Sequence, residues 1–237
     1  MSKTQQTNVD PAEIEKFQSI ASRWWDTESE FKPLHDINPL RIAYIEQACG
    51  GLEGKKVLDI GCGGGILSEA LAAKGAIVTG IDLAEKSLNI AQLHLYESGL
   101  EVDYQFVSAE EFALQHKAEF DVVCCLEMLE HVPDPGSIIQ SAHDLVCETG
   151  DVIFSTLNRN PKSFLLAIVG AEYVMNMVPK GTHEYKSFIK PSELCRSARQ
   201  AGLEIKDISG MTYNPLTGIY KIGRDVDVNY FIHGKKR

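Results

Sequence analysis

The sequence predicts an α/β domain in which strands and helices alternate to build a doubly wound, mostly parallel sheet. Three observations lead to this prediction. The apolar run Val57, Leu58 and Ile60 is typical of a buried parallel strand, and it breaks into glycines. A second such strand ends at Asp82, and strand and helix patterns continue to alternate beyond it. At 237 residues, the chain is long enough to bury a full core in one domain.

Composition narrows the class of protein. The net charge of −10 leaves no excess of Lys and Arg to neutralise phosphates, so we expect no nucleic-acid partner. The six cysteines form no C-x-x-C pair and lie in apolar sequence, as reduced thiols packed as small hydrophobes do. Together with the absence of a signal-peptide pattern in the polar stretch 1–8, this predicts a cytoplasmic protein.

We expect three regions: a disordered N-terminus (1–9), a helical lid (10–51), and an α/β domain (52–237) with an insertion at 158–190. Asp10, Pro11 and Glu13 combine an N-cap, a proline in the first turn and an acid three residues after the cap, which predicts a helix start. After an aromatic segment, Asn38-Pro39 is expected to restart a helix. We expect the lid to pack on the core and also to wall the functional site, with Arg41 reaching a bound ligand.

The first strand leads into a helix through alternate glycines at Gly61, Gly63 and Gly65. Such a turn presents free backbone N–H groups at the positive end of the helix dipole, and glycine lets a ligand approach the backbone. The pattern begins at Asp59 as Asp-x-Gly-x-Gly-x-Gly. It differs from the dinucleotide fingerprint, which would require Gly or Ala at Ile66.

Two acids near strand ends are candidate contacts to the same ligand. Asp82 could accept both hydroxyls of a ribose in a bidentate pair, although NAD enzymes place an acid at the same point. Glu110 follows the third predicted strand and could meet an adenine amino group. Equally, Glu110 could simply mark a helix N-terminus, where acids are favoured.

A third group of candidates, Leu126 to His131, follows the fourth strand at the edge where doubly wound sheets bind ligands. Glu127, Glu130 and His131 form a possible acid–base cluster, in which His131 is the best-placed general base and Glu130 its neighbour. Alternatively, the three hold a Mg²⁺ ion that lowers the pKa of an acceptor hydroxyl. A third interpretation is that both acids are solvated and His131 only caps a turn.

These motifs resemble the class I S-adenosylmethionine-dependent methyltransferases, and within them the family that O-methylates intermediates of ubiquinone biosynthesis. The resemblance spans roughly Val9 to His233 and is most specific in Trp24-Trp25-Asp26 and in the stretch 178–183, Val-Pro-Lys-Gly-Thr-His. It implies a seven-stranded sheet whose last strand is antiparallel. It also implies S-adenosylmethionine as methyl donor, contacted by Arg41, Gly61, Asp82 and Leu126.

The resemblance further implies a substrate and partners. The acceptor would be a ring hydroxyl of a polyprenylated phenol, methylated at two separate steps, and other enzymes of ubiquinone biosynthesis are candidate partners. Two rival functions remain open. One is an NAD(P)-dependent oxidoreductase, and the other is a lipid-associated module that binds S-adenosylmethionine without catalysis.

The stretch 164–178 is apolar except for Glu172 and Asn176, and it predicts a helix that inserts into the membrane interface. Its fifteen residues are too few to span a bilayer. Five basic residues against two acids in 159–190, in an otherwise acidic chain, favour an anionic membrane surface. A prenyl tail would stay in the bilayer, so the protein would act at its inner face. The alternative is burial against the sheet or a second subunit.

Overall fold

The computed structural model describes residues 8–164, 185–214 and 217–237. Its strands are β1 (Lys56–Ile60), β2 (Ile77–Asp82), β3 (Val102–Phe106), β4 (Phe120–Leu126), β5 (Val146–Leu157), β6 (Leu203–Asn214), β7 (Ile219–Gly223) and β8 (Asn229–Lys236). The helices are α1 (Pro11–Ile20), α2 (Lys32–Cys49), α3 (Ile66–Ala72), α4 (Glu85–Ser98), α5 (Ala109–Gln115), α6 (Pro135–Leu145), the single turn α7 (Pro161–Ser163) and α8 (Pro191–Gln200). Short 3-10 helices lie at Ala21–Arg23, Leu129–His131 and Tyr185–Ser187.

The strands form one sheet in the order β3-β2-β1-β4-β5-β8-β6-β7. The first five strands are parallel, and β8 inserts antiparallel between β5 and β6. This confirms the doubly wound fold and its antiparallel last strand. The count of seven strands is wrong by one. Strand β6 continues to Asn214, and its far half pairs with β7, where the ring of Tyr213 lies beside that of Tyr220 with centroids 4.5 Å apart.

Successive residues of β1 face opposite sides of the sheet, as the pleat requires. Leu58 and Ile60 pack into the core beneath α5, α6 and α8, whereas Val57 packs into the core shared with α2 and α3. Both faces are therefore covered by helices, which is what an apolar central strand needs. The carboxyl ends of the parallel strands all meet at one edge, and this edge carries the functional site.

The N-terminal region differs from the expectation at two points. Helix α2 begins at Lys32 and continues through Pro39, so the predicted restart at Asn38 is wrong. Pro39 removes one backbone donor, but burial of neighbours such as Ile37, Ile42 and Ile45 holds the helix together. Helix α1 does begin as predicted, with the Asp10 carboxylate accepting from the Ala12 N–H at 2.9 Å.

Asn8 is ordered, which corrects the prediction of disorder over 1–9 at that residue. Its amide donates to Glu110 Oε1 at 2.9 Å and to the Asp134 carbonyl at 2.8 Å, and its Oδ1 accepts from the Asp134 N–H. A short polar side chain thus ties the chain to two distant elements, which no local pattern reveals. Residues 1–7 lie outside the described part of the chain.

The insertion at 158–190 is described only at its ends. Phe164 is 44% exposed, and the rest of the predicted apolar helix, 165–178, lies outside the described residues. Among the helices that are described, none is both long and apolar enough to cross a membrane. The six cysteines are free, as predicted, and Cys147 alone of them is partly exposed.

Substitution of a buried phenylalanine should show how strongly the sheet depends on its core. Phe154 in β5 is fully buried, whereas Phe106 in β3 is 61% exposed. We expect Phe154→Ala to lower the free energy of unfolding in urea by about 3–5 kcal/mol. The matched change Phe106→Ala should alter it by less than about 0.5 kcal/mol. Equal losses would contradict this arrangement of the core.

Candidate active site

A cavity of about 470 Å³ lies at the carboxyl ends of the parallel strands, between the sheet and the N-terminal helices. All ten residues that the sequence singled out line it, although they are dispersed over ninety residues of chain: Arg41, Asp59, Gly61, Gly63, Asp82, Glu110, Leu126, Glu127, Glu130 and His131. The fold therefore brings the predicted ligand-binding and acid–base residues together at one place.

The glycine turn forms one wall of this cavity. Gly61 and Gly63 adopt φ of +75° and +53°, which residues with side chains rarely do. A Cβ at Gly61 would lie 2.6 Å from Met128, and one at Gly63 would lie 2.7 Å from the Trp24 ring. From the sequence we expected only a ligand to lie against this loop. In the structure, a tryptophan of the N-terminal region lies directly against it.

Asp82 is built into the loop by its own hydrogen bonds. One carboxylate oxygen accepts from the Gly63 N–H at 2.8 Å and the other from the Ala84 N–H at 2.7 Å. Burial raises the pKa of Asp82, and these two bonds oppose that shift. A carboxylate has about four acceptor positions, and the Leu83 N–H also bonds to Asp82, so capacity is left for a ligand's hydroxyl group.

The carboxylates of Asp59 and Glu110 accept hydrogen bonds from other residues of the protein. Asp59, 2% exposed, accepts from Ser68 Oγ at 2.6 Å, and burial raises its pKa to about 6. It therefore ties β1 to α3 at the glycine turn. Glu110 Oε1 accepts from Asn8 and, at 2.8 Å, from Ser137 Oγ in α6. Glu110 lies in the first turn of α5, as the interpretation as a helix N-terminus predicts. Its contact to adenine stays a prediction.

Arg41 projects from α2 into the cavity wall and is only 5% exposed. Its nearest carboxylate oxygen, Glu127 Oε1, lies 3.5 Å away. Burial lowers the pKa of the guanidinium, whereas the charges of Glu127, Asp59 and Glu130 raise it. Among the residues that the structure describes, neither its Nε nor Nη2, the nitrogen that faces Glu127, has a partner within hydrogen-bond criteria. These unused donors are suited to an anionic group on a ligand.

Glu127 directly follows β4 and has a strained backbone conformation, with φ of +54°. Its Oε1 accepts from Ser155 Oγ at 2.5 Å and from Asn229 Nδ2 at 2.9 Å, and its N–H donates to the Ser155 carbonyl. Bonds to two neighbouring strands therefore fix both its backbone and its carboxylate. The left-handed turn directs the chain from β4 into the segment that carries Glu130 and His131.

Glu130 is a buried acid with an incompletely paired carboxyl group. Its Oε2 accepts from Thr156 Oγ1 at 2.7 Å, and its Oε1 has no partner within the described part of the chain. Burial, reinforced by the charge of Glu127, raises its pKa to about 7. Near neutral pH, this carboxyl group is therefore protonated in a large fraction of molecules and able to donate a hydrogen bond.

His131 closes the acid–base side of the cavity. Its Nδ1 lies 2.6 Å from Oε2 of Glu13, a residue of α1. The ring also meets the edge of Phe17, with centroids 5.2 Å apart and planes at 86°. The solvated-acid interpretation is wrong for this cluster, because Glu130 is buried and Glu127 is bonded to two strands.

The three residues do not form the predicted Mg²⁺ site. Glu127 faces Arg41 and β8, Glu130 faces Thr156, and His131 faces Glu13. Within the described ranges, no group of three or more His, Cys, Asp or Glu side chains is arranged to hold a metal. The guanidinium of Arg41 already supplies the positive charge beside Glu127, so the donor set does not fit a cation.

Sequence reasoning overlooked the aromatic cover of the glycine turn. Trp24 Nε1 donates to Ser87 Oγ at 3.1 Å, and Trp25 Nε1 donates to the Gly64 carbonyl at 2.9 Å. Trp25 also stacks on His94 of α4, with centroids 3.4 Å apart. Trp24 and Trp25 are recognisable as a motif in the sequence. Helical or strand periodicity does not predict, however, that they contact the glycine turn some forty residues further along the chain.

This architecture is that of a methyltransferase. The chain matches the family model described as a methyltransferase domain over residues 38–208. Its fold is shared with magnesium protoporphyrin IX methyltransferase from Synechocystis, solved with bound S-adenosylmethionine (20% identity, TM-score 0.65, 98% and 100% of the two chains). It is also shared with a methyltransferase from Thermotoga maritima (23% identity, TM-score 0.64, 95% and 99%).

Sequence relatives identify the family of methyltransferases to which the chain belongs. The chain is 61% identical to the ubiquinone biosynthesis O-methyltransferase of Aromatoleum aromaticum, over 97% of both proteins. It is 60% identical to the protein of the same name from Pseudomonas aeruginosa, over 97% of this chain and 99% of the relative. The chain belongs to the ubiquinone biosynthesis O-methyltransferase family.

Removal of the Asp82 carboxylate should weaken binding in the cavity without unfolding the protein. We expect Asp82→Ala to reduce the affinity for S-adenosylhomocysteine by about 1.5–3 kcal/mol, the value of a lost charge-assisted pair. Titration calorimetry measures it. Asp103→Ala, an exposed aspartate on the neighbouring β3, is the matched control and should bind as the wild type does. Unchanged affinity in Asp82→Ala would exclude the ribose contact.

Proposed function

We propose that this protein transfers the methyl group of S-adenosylmethionine to a ring hydroxyl of polyprenylated phenols in ubiquinone biosynthesis. The observation that carries the proposal is a cavity whose lining combines two kinds of chemistry. We assign the glycine turn, Asp82 and Arg41 to a cofactor end, and Glu130 and His131 to an acid–base end.

The cofactor end suits the three polar parts of S-adenosylmethionine. Asp82 receives the ribose hydroxyls, and the buried guanidinium of Arg41 binds the methionine carboxylate. Gly61 and Gly63 shape the turn at the cavity wall, where Met128 and Trp24 pack against them. Leu126 lies at the end of β4, between this region and the acid–base end, and contributes an apolar contact. The family membership of the chain supports the same cofactor.

The reaction needs an oxygen nucleophile in line with a sulfonium methyl group, so orientation supplies much of the acceleration. A phenol titrates near ~10 and is a weak nucleophile until it loses its proton. His131 accepts this proton as general base. Glu130, protonated in part near neutral pH, hydrogen-bonds the neighbouring ring oxygen. No step requires a metal ion.

The apolar lining supports an aromatic, prenylated acceptor. Side chains of α1, of the segment after β4 and of α6 contribute apolar surface to the cavity: Ile14, Phe17, Ile20, Val132 and Ile138. Such apolar walls exclude water from the aromatic ring of the acceptor. The family name supports the assignment to ubiquinone biosynthesis, and we extend it to both O-methylation steps. The oxidoreductase and the non-catalytic module receive no support from the relatives.

A direct assay tests the function and its base together. We expect methyl transfer from S-adenosylmethionine to a short-chain prenylated catechol, and no binding of NADH by calorimetry. His131→Ala should lower kcat about 10²–10⁴-fold with unchanged cofactor affinity, because it removes the general base. His116→Ala, a histidine outside the cavity, is the control. An inactive wild type would refute the proposal, and full activity of His131→Ala would refute the base.

We also propose that the protein acts at the inner face of the membrane through the apolar stretch 164–178. The support is the sequence pattern and the exposed Phe164 at its start. Arg159 and Lys162 already pair with Glu193 and with Asp225, respectively. Attraction to anionic lipid therefore depends on the other basic residues of this region. Insertion into the interface depends on its apolar side chains. Association with other enzymes of the biosynthesis stays a prediction.

Liposome flotation tests the membrane contact. The wild type should float with vesicles that contain phosphatidylglycerol, and less so as salt increases. The double variant Leu165→Glu, Ile168→Glu should remain in solution and still bind S-adenosylmethionine. The control Leu93→Glu, Leu114→Glu adds the same charge at two exposed leucines elsewhere and should float. Failure of the wild type to float at low salt would contradict the proposal.

A further inference from the structure

We propose that Glu13, on the N-terminal helix α1, is the positioning residue that orients His131 for proton abstraction. The inference deepens the proposed function, because it assigns the source of the orientation that a histidine base needs. Its starting point is a contact between two residues that are 118 positions apart in the chain.

The contact joins the base to an element outside the sheet. His131 lies in the short 3-10 helix Leu129–His131 after β4, where its backbone N–H donates to the Met128 carbonyl. Glu13 Oε2 reaches Nδ1 at 2.6 Å, a short distance of the kind found in charge-assisted hydrogen bonds.

The same helix restrains the imidazole in a second direction. Phe17 follows Glu13 by one helical turn, so both side chains project from the same face of α1. Phe17 meets the ring of His131 edge to face, while Glu13 holds its edge. One turn of α1 thus fixes both the position and the plane of the imidazole.

This arrangement selects a tautomer. A carboxylate only accepts hydrogen bonds, so the neutral imidazole must carry its proton on Nδ1. The basic lone pair is then on Nε2. During transfer, Nε2 takes the phenol proton, the oxygen attacks the methyl carbon, and the carbon–sulfur bond breaks to leave neutral S-adenosylhomocysteine. Glu13 stabilises the imidazolium until its proton passes to water.

The charges around His131 are compatible with this role. From α1, Lys16 Nζ lies 3.3 Å from Glu13 Oε1 and 3.4 Å from Oε2, the oxygen that faces the ring. From the loop after β4, Glu127 and the partly protonated Glu130 line the same cavity. The hydrogen bond from His131 is the largest of the influences that hold the pKa of Glu13 below its usual range. The carboxylate is therefore ionised when the base is at work.

A double-mutant cycle distinguishes positioning through His131 from a general effect on the fold. Glu13→Gln should lower kcat about 10–10³-fold with unchanged KM for S-adenosylmethionine. In the His131→Ala background, the same change should cost nothing further, because its effect passes through the missing imidazole. The control is Glu15→Gln. Glu15 is exposed on the same helix and takes part in neither contact with His131, so this variant should retain wild-type kcat. Losses that multiply in the double variant would overturn the inference.

A second acceptor sharpens the experiment. A nitro-substituted catechol is already ionised near neutral pH and needs no base. The loss caused by Glu13→Gln should therefore shrink to a few-fold on this acceptor while remaining large on the unsubstituted prenylated catechol. Equal losses on the two acceptors would indicate a structural role only and would overturn the inference.

Nitrogen-15 NMR of labelled His131 in the unmodified protein gives an independent answer that does not depend on any variant folding. The neutral imidazole should show the tautomer protonated on Nδ1, and a proton on Nε2 would refute the proposal. Failure of the proposed function would look different, because the wild type would then methylate neither acceptor while the NMR result still decided the role of Glu13.

Discussion

The buried guanidinium of Arg41 is the constraint on which the site depends. A cation removed from water is strongly destabilising unless carboxylates surround it. Asp59 and Glu127 come from the ends of adjacent strands, and the charges of both favour the guanidinium. Helix α2 and the edge of the sheet therefore stabilise each other, and neither arrangement would hold by itself.

This charge cluster also divides the cavity into two chemical environments. On the glycine side, backbone amides and Asp82 provide fixed hydrogen-bonding groups that need not change protonation. On the other side, burial shifts Glu130 to a pKa of about 7, and a carboxylate from another element faces His131. Glu127 stands between the two with its strained backbone held by β5 and β8. Binding and proton transfer are thus assigned to different walls of one cavity.

Local patterns in the sequence predicted those features that depend on local physics. The glycine turn and the capped start of α1 both follow from short-range geometry. Prediction failed where distant contacts override local preference, as in the continuation of α2 through Pro39. The pairing of Glu13 with His131 could not be seen, because no periodicity relates residues so far apart. The left-handed backbone of Glu127 was equally hidden, since nothing in its residue type requires it.

The placement of β8 has a consequence for the order in which the protein can mature. This strand lies between β5 and β6, yet it follows every other strand in the chain, so a growing polypeptide must leave an open slot in its sheet until β8 is synthesised. Asn229 of β8 also donates to Glu127, a wall of the cavity. Chemical competence is therefore acquired only when the final strand is inserted, and a nascent chain on the ribosome carries an incomplete reaction centre.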